Sequence, residues 1–106
     1  MTENEKKMNK ELENIYRYAK ANYGGSPKTD NPLYKKYNDI RMVIAELSKT
    51  NYLESTILRM RYFEAKSYET ISIELSYSPQ HIYRLRRSGI RLFTNKVLEI
   101  SRERKK

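Results

Sequence analysis

Two of the three glycines and two of the three prolines fall in one short window, Gly24-Gly25-Ser26-Pro27-Lys28-Thr29-Asp30-Asn31-Pro32. Only Pro79 and Gly89 lie outside it. The strongest breakers of regular structure are therefore confined to a loop, with Ser48-Lys49-Thr50-Asn51 as a second, shorter polar break. Elsewhere apolar residues recur three and four apart, and no β-branched run alternates in the manner of a strand. A chain of 106 residues with this pattern is restricted to one small all-α domain of about five helices.

Each segment has its own stripe. Met8, Leu12, Ile15 and Ala19 share one face of a first helix that is expected to stop at Gly24. Asn31 is expected to cap a second helix with Pro32 in its first turn, where a missing N–H costs nothing. Its stripe, Leu33-Tyr37-Ile40-Ile44-Leu47, repeats a spacing of four and three, which is also a coiled-coil seam two heptads long. Packing inside the monomer is the default use of that seam, and a homodimer is the alternative. A third helix is predicted over Tyr52–Phe63. A two-turn helix capped by Ser67 follows, with Ile71, Leu75 and Tyr68 inward. Ser78-Pro79 then opens a long final helix whose buried side runs through Ile82, Leu85, Gly89, Leu92, Phe93, Val97 and Ile100. Gly89 costs about 1 kcal/mol against alanine inside a helix, so its presence predicts a second helix passing too close for a side chain. Residues 1–50 thus form an N-terminal helical hairpin, covering the core or making a dimer interface, and residues 51–106 a helix-turn-helix region.

Charge narrows the function. The net charge is +9, and residues 80–106 hold nine basic residues against Glu99 and Glu103. So focused a positive stretch attracts polyanions, nucleic acid first among them. With no cysteine and one histidine, neither a disulfide framework nor a thiolate or histidine-rich metal site can be built. His81 has no evident catalytic partner, Gly24-Gly25 lacks the pattern of a phosphate-binding loop, and the acidic pairs Glu11/Glu13 and Glu69/Glu74 do not share helix faces. The expectation is a non-enzymatic protein without cofactor. Its longest apolar run, Met42-Val43-Ile44-Ala45, is far below a membrane span, and the polar start Met1-Thr2-Glu3-Asn4-Glu5 shows no signal peptide, so a cytoplasmic location is expected.

A two-turn helix, a three-residue turn and a longer basic helix form the helix-turn-helix arrangement, whose second helix enters the major groove. Its exposed side needs long donors and acceptors. Gln80, Tyr83 and Arg84 are the candidate base readers, since Gln pairs with adenine and Arg with guanine. Arg59, Arg61, Ser78, His81, Arg87 and Arg91 are the candidates for phosphate contacts, which set register without reading sequence. Of the ten tyrosines, Tyr37, Tyr62 and Tyr68 sit at or beside stripe positions and are assigned to packing rather than to base stacking.

Ile57-Leu58-Arg59-Met60-Arg61-Tyr62-Phe63, Ser67-Tyr68-Glu69-Thr70-Ile71 and Ile82-Tyr83-Arg84-Leu85-Arg86-Arg87 together resemble region four of bacterial sigma factors. The turn Glu74-Leu75-Ser76-Tyr77-Ser78-Pro79 is more similar still to sigma-like phage regulators of late transcription, of the ArpU and RinA type. The resemblance covers about residues 52–94. It implies binding to a promoter or operator in a bacterial host cell, RNA polymerase as a second partner, and base-reading positions at Pro79, Gln80, Tyr83 and Arg84. Two residues depart from the pattern. Pro79 offers no donor where sigma factors often place a polar or basic reader. Ser76 stands where the phage proteins often have Gly, and a left-handed turn there costs Ser roughly 1 kcal/mol. Nothing resembles sigma region two, so replacement of a complete sigma factor is not expected. The reading is a sequence-specific regulator acting on double-stranded DNA. Its rivals are a DNA-packaging accessory protein akin to a small terminase subunit, and a region-four mimic that binds polymerase through Tyr52–Phe63 with little DNA readout.

Overall fold

The computed structural model describes residues 1–22 and 27–104, and among these there are five helices and no strand. They are α1 (Glu3–Ala21), α2 (Leu33–Leu47), α3 (Tyr52–Leu58, continued by a π-helical turn over Arg59–Phe63), α4 (Tyr68–Leu75) and α5 (Pro79–Arg104). The all-α architecture agrees with the periodicity. The predicted stop at Gly24 lies outside the described residues, and α1 itself ends at Ala21.

Local chemistry accounts for the starts of four of the five helices. Thr2 and Glu5 form a reciprocal capping box at the start of α1: Glu5 N–H donates to Thr2 Oγ1 at 3.1 Å and Thr2 N–H to Glu5 Oε2 at 2.8 Å. The Asn31 side chain accepts from Leu33 N–H at 2.9 Å, so it serves the first turn of α2 across Pro32. Ser67 accepts from Thr70 N–H at 3.1 Å to open α4, and Ser78 accepts from His81 N–H at 3.2 Å to open α5. Between them Ser76 takes the left-handed conformation (φ 59°, ψ 38°), the strained geometry anticipated for that position.

The third helix departs from expectation. It does not stay α-helical to Phe63 but widens, with Glu64 N–H donating to Arg59 O at 3.1 Å and Lys66 N–H to Met60 O at 3.1 Å. Such widened turns are rare and short. Tyr62 and Phe63 enter the larger of two cores while Met60 enters the smaller. Ala65, also left-handed at φ 54°, ends the segment, a turn that no glycine announced in the sequence.

Two apolar cores share α3 and α5. The larger gathers Leu12 and Ile15 from α1, Tyr37, Ile40, Ile44 and Leu47 from α2, then Leu58, Tyr62, Phe63, Ile90 and Phe93. The α2 seam is therefore spent inside the monomer. The smaller core, Ile57, Met60, Ile71 and Ile82, fastens α4 and the first turns of α5, with Tyr68, Leu75 and Leu85 against it. Ile90 and Thr94 are buried although they lie beside the predicted stripe, because α5 has neighbours on more than one side. Thr94 donates its hydroxyl to Ile90 O at 2.7 Å, which satisfies it without leaving the helix.

Gly89 marks the crossing of α3 and α5. A Cβ there would lie 3.3 Å from Leu58 Cγ and 3.4 Å from both Cβ and O of Glu54. Gly89→Leu is expected to destabilise the fold by about 1–3 kcal/mol through overpacking. Urea unfolding checks this, and an unchanged midpoint would refute the close crossing.

Candidate nucleic-acid interface

The exposed side of α5 is built by elimination. Ile82 is fully buried and Leu85 half-buried in the smaller core, which holds the first turns of α5 against α4. Gln80, Arg84, Arg87 and Arg91, at i, i+4, i+7 and i+11, are left on one outward face, and all four are exposed. At about 1.5 Å per residue they extend over some 16 Å of helix. Tyr83, Arg84, Arg87, Ser88 and Arg91 line one shallow depression on that face.

The charges on this face differ in freedom. Arg84 and Arg87 form no ion pair with any described residue. Arg91 Nε lies 3.7 Å from Glu5 Oε1 on α1. Glu5 is held below the usual carboxylate range, chiefly by the Thr2 N–H it accepts, with the Arg91 cation contributing. Tyr83 packs its ring on Tyr68 at 4.6 Å between centroids yet keeps about half its surface in solvent. His81 is half-buried against Tyr77, ring to ring at 4.7 Å. Pro79 is exposed at the helix start, and the Ser78 hydroxyl oxygen already accepts the His81 N–H.

Arg59 and Arg61 stand elsewhere. Arg59 pairs with Glu64 and lines a groove with Tyr37, Arg41 and Ser48, on the α2 side of α3. The Arg61 guanidinium lies 4.1 Å from the ring centroids of both Tyr16 and Tyr68, and donates to Lys66 O at 3.1 Å. It is a cation held between two aromatic faces, joining α1 to α4. Neither arginine lines the depression on α5.

Sequence reasoning missed the residue that links this frame to the long helix. Arg86 points inward and donates to the Tyr62 hydroxyl at 2.9 Å, with Tyr62 fully buried. The run Arg84 to Arg87 hides this, because helical spacing alone turns Arg86 away from its basic neighbours. Further support comes from Lys66, which bridges Glu64 at 3.1 Å and Glu74 at 2.8 Å and ties the π-helical turn to α4. Among the described residues no cluster of His, Cys, Asp and Glu could hold a metal ion, and no helix is long and apolar enough to cross a membrane. No protein-family model, curated protein or solved structure matches the chain.

Burial pushes the Tyr62 phenol up to about 12, partly offset by the Arg86 cation. An unfolded tyrosine ionises near 10. The neutral phenol therefore contributes stability that is complete below about pH 10 and is lost as pH rises towards about 12. Tyr62→Phe is expected to cost about 1–2 kcal/mol near neutral pH by stranding the Arg86 donor. In the alkaline range its melting temperature should fall less steeply than that of the wild type. Parallel pH curves would contradict this account.

Proposed function

We propose that the chain is a sequence-specific double-stranded DNA-binding protein that regulates transcription, reading the major groove with the first turns of α5. One observation carries the reading. Gln80, Arg84, Arg87 and Arg91 stand in line on the outward face of a helix whose inner face is fixed, and Arg84 and Arg87 have no ion-pair partner among the described residues. The major groove is about 12 Å wide and admits one α-helix. Gln80 and Arg84 then read base edges, with Tyr83 beside them, while Arg87 and Arg91 hold phosphates. Ser78 and His81 serve the backbone at the helix start. Arg61 is held between Tyr16 and Tyr68, and Arg59 is paired with Glu64 beside α2, so neither is assigned to this face.

The resemblance of residues 52–94 to sigma region four supports the same use and adds the setting: a phage or mobile-element regulator in the cytoplasm of a bacterial host. Neither catalysis nor a cofactor is part of the proposal. Contact with RNA polymerase belongs to the same reading, through what α2 leaves open of α3. Tyr52, 71% exposed, is the most accessible side chain there.

Selection from a random duplex pool at about 150 mM salt suppresses non-specific binding and tests the reading. A motif is expected for the wild type and none for Gln80→Ala/Arg84→Ala. A pool that never enriches overturns sequence reading. A second prediction comes from Glu5. Glu5→Gln keeps the capping box, since glutamine also serves there, but releases Arg91. DNA affinity should rise, and the slope of log K against log salt should steepen by about 0.9, one further phosphate contact. Titrations at several salt concentrations measure both, and an unchanged slope means that Arg91 does not reach DNA.

A further inference from the structure

On the other side of α5, and towards its C-terminal end, lies a groove of about 490 Å³ between α1, α2 and α5. Its floor is Ile40 and Phe93, and its apolar walls are Met8, Met42, Val43, Val97 and Ile100. Met42 is 59% exposed, unusual for a methionine set among half-buried apolar neighbours. The rim inverts the charge of the molecule. Five carboxylates, Glu11, Asp39, Glu46, Glu99 and Glu103, stand against Lys36 and Lys96 on a chain whose net charge is +9. Lys36 is already paired with Glu11 at 2.9 Å, and Lys96 with Glu99 at 3.8 Å. Asp39 and Glu103 have no ion-pair partner among the described residues.

An apolar trough with an excess of acid on its lips fits an amphipathic helix that carries apolar side chains and positive charge. The chain supplies such a segment itself. Val97, Leu98 and Ile100 are only half-buried, and residues 102–106 then bring four cations against Glu103 alone. We infer that this groove docks the C-terminal end of α5 from a second copy of the chain, the two copies exchanging helix ends about a two-fold axis. In that arrangement Val97 and Ile100 of each copy meet Met42 and Val43 of the other, and the exposed Arg102 of each copy faces the other's Asp39. The contact is self-complementary, as closed two-fold pairs require. It leaves the face of Gln80, Arg84 and Arg87 open, and of the α2 seam it touches only Ile40, at the groove floor.

The inference stands apart from DNA reading, so it is tested without DNA. Sedimentation equilibrium of the full chain at about 150 mM salt is expected to show a concentration-dependent dimer that weakens as salt rises. Met42→Glu, a change at an exposed position, should weaken dimerisation by about tenfold or more, since a carboxylate would be buried among apolar groups. Asp39→Lys, which removes a carboxylate that no internal partner needs, should weaken it as well. Circular dichroism of both variants separates lost association from lost folding. A wild type that stays monomeric to about 200 µM overturns the inference and leaves the groove for a basic helix of another protein. A dimer unchanged by either substitution overturns it too, because the contact must then lie elsewhere.

Discussion

The close crossing of α3 and α5 is the constraint on which the other contacts depend. Gly89 lets the two backbones approach until Leu58 and Glu54 touch the place a side chain would fill. With that distance set, each helix is wide enough to serve two cores. Leu58 and Ile90 fall on one side of the crossing, Ile57 and Ile82 on the other. The larger core collects α1 and α2, and the smaller holds α4. The helix propensity given up at Gly89, about 1 kcal/mol, is small beside the burial this permits.

Around that crossing, aromatic rings and guanidinium groups take over where aliphatic surface runs short. The sequence is lean in apolar residues, with hydrophobic types at 38%. Tyr62 supplies a large buried ring and finds a donor for its hydroxyl in Arg86. Arg61 fills the space between Tyr16 and Tyr68, where a leucine could have packed but could not have bonded the Lys66 carbonyl. Two of the chain's arginines, Arg61 and Arg86, are therefore structural, and the charge available for a polyanion is smaller than composition suggests.

Much of this is legible in the sequence. The four-and-three spacing marked α1, α2 and α5, and Ser67 and Ser78 marked two helix starts because capping depends on nearby atoms alone. At Ser76 the resemblance, with a glycine common at that position, pointed to the left-handed turn that Ser76 adopts. Gly89 pointed to a close neighbour without naming it. What stayed hidden depends on contacts distant in sequence. The π-helical turn has no local signature, and Arg59 to Phe63 read locally as an ordinary helix. Ile90 and Thr94 are buried because α5 is flanked by more than one helix, which no single stripe reports. Arg61 looked like a surface cation for the same reason: Tyr16 is 45 residues away from it in the chain, and periodicity does not see it. The outward face of Gln80, Tyr83, Arg84, Arg87 and Arg91 was visible as a pattern, whereas the Glu5 carboxylate beside Arg91 was not.

α5 runs for 26 residues without a proline after its first position, and Gly89, its one weak point, is clamped by α3. At about 1.5 Å per residue it is a rod of some 39 Å, nearly the full length of a molecule that measures 42 Å along its longest axis. A rod of that length acts as a lever. If its far end is gripped and turned by about 10°, its first turns sweep through some 7 Å, about two base-pair steps along a duplex. Nothing between the two ends is built to absorb such a turn. Whatever holds the C-terminal half of this helix therefore sets where its other end can point.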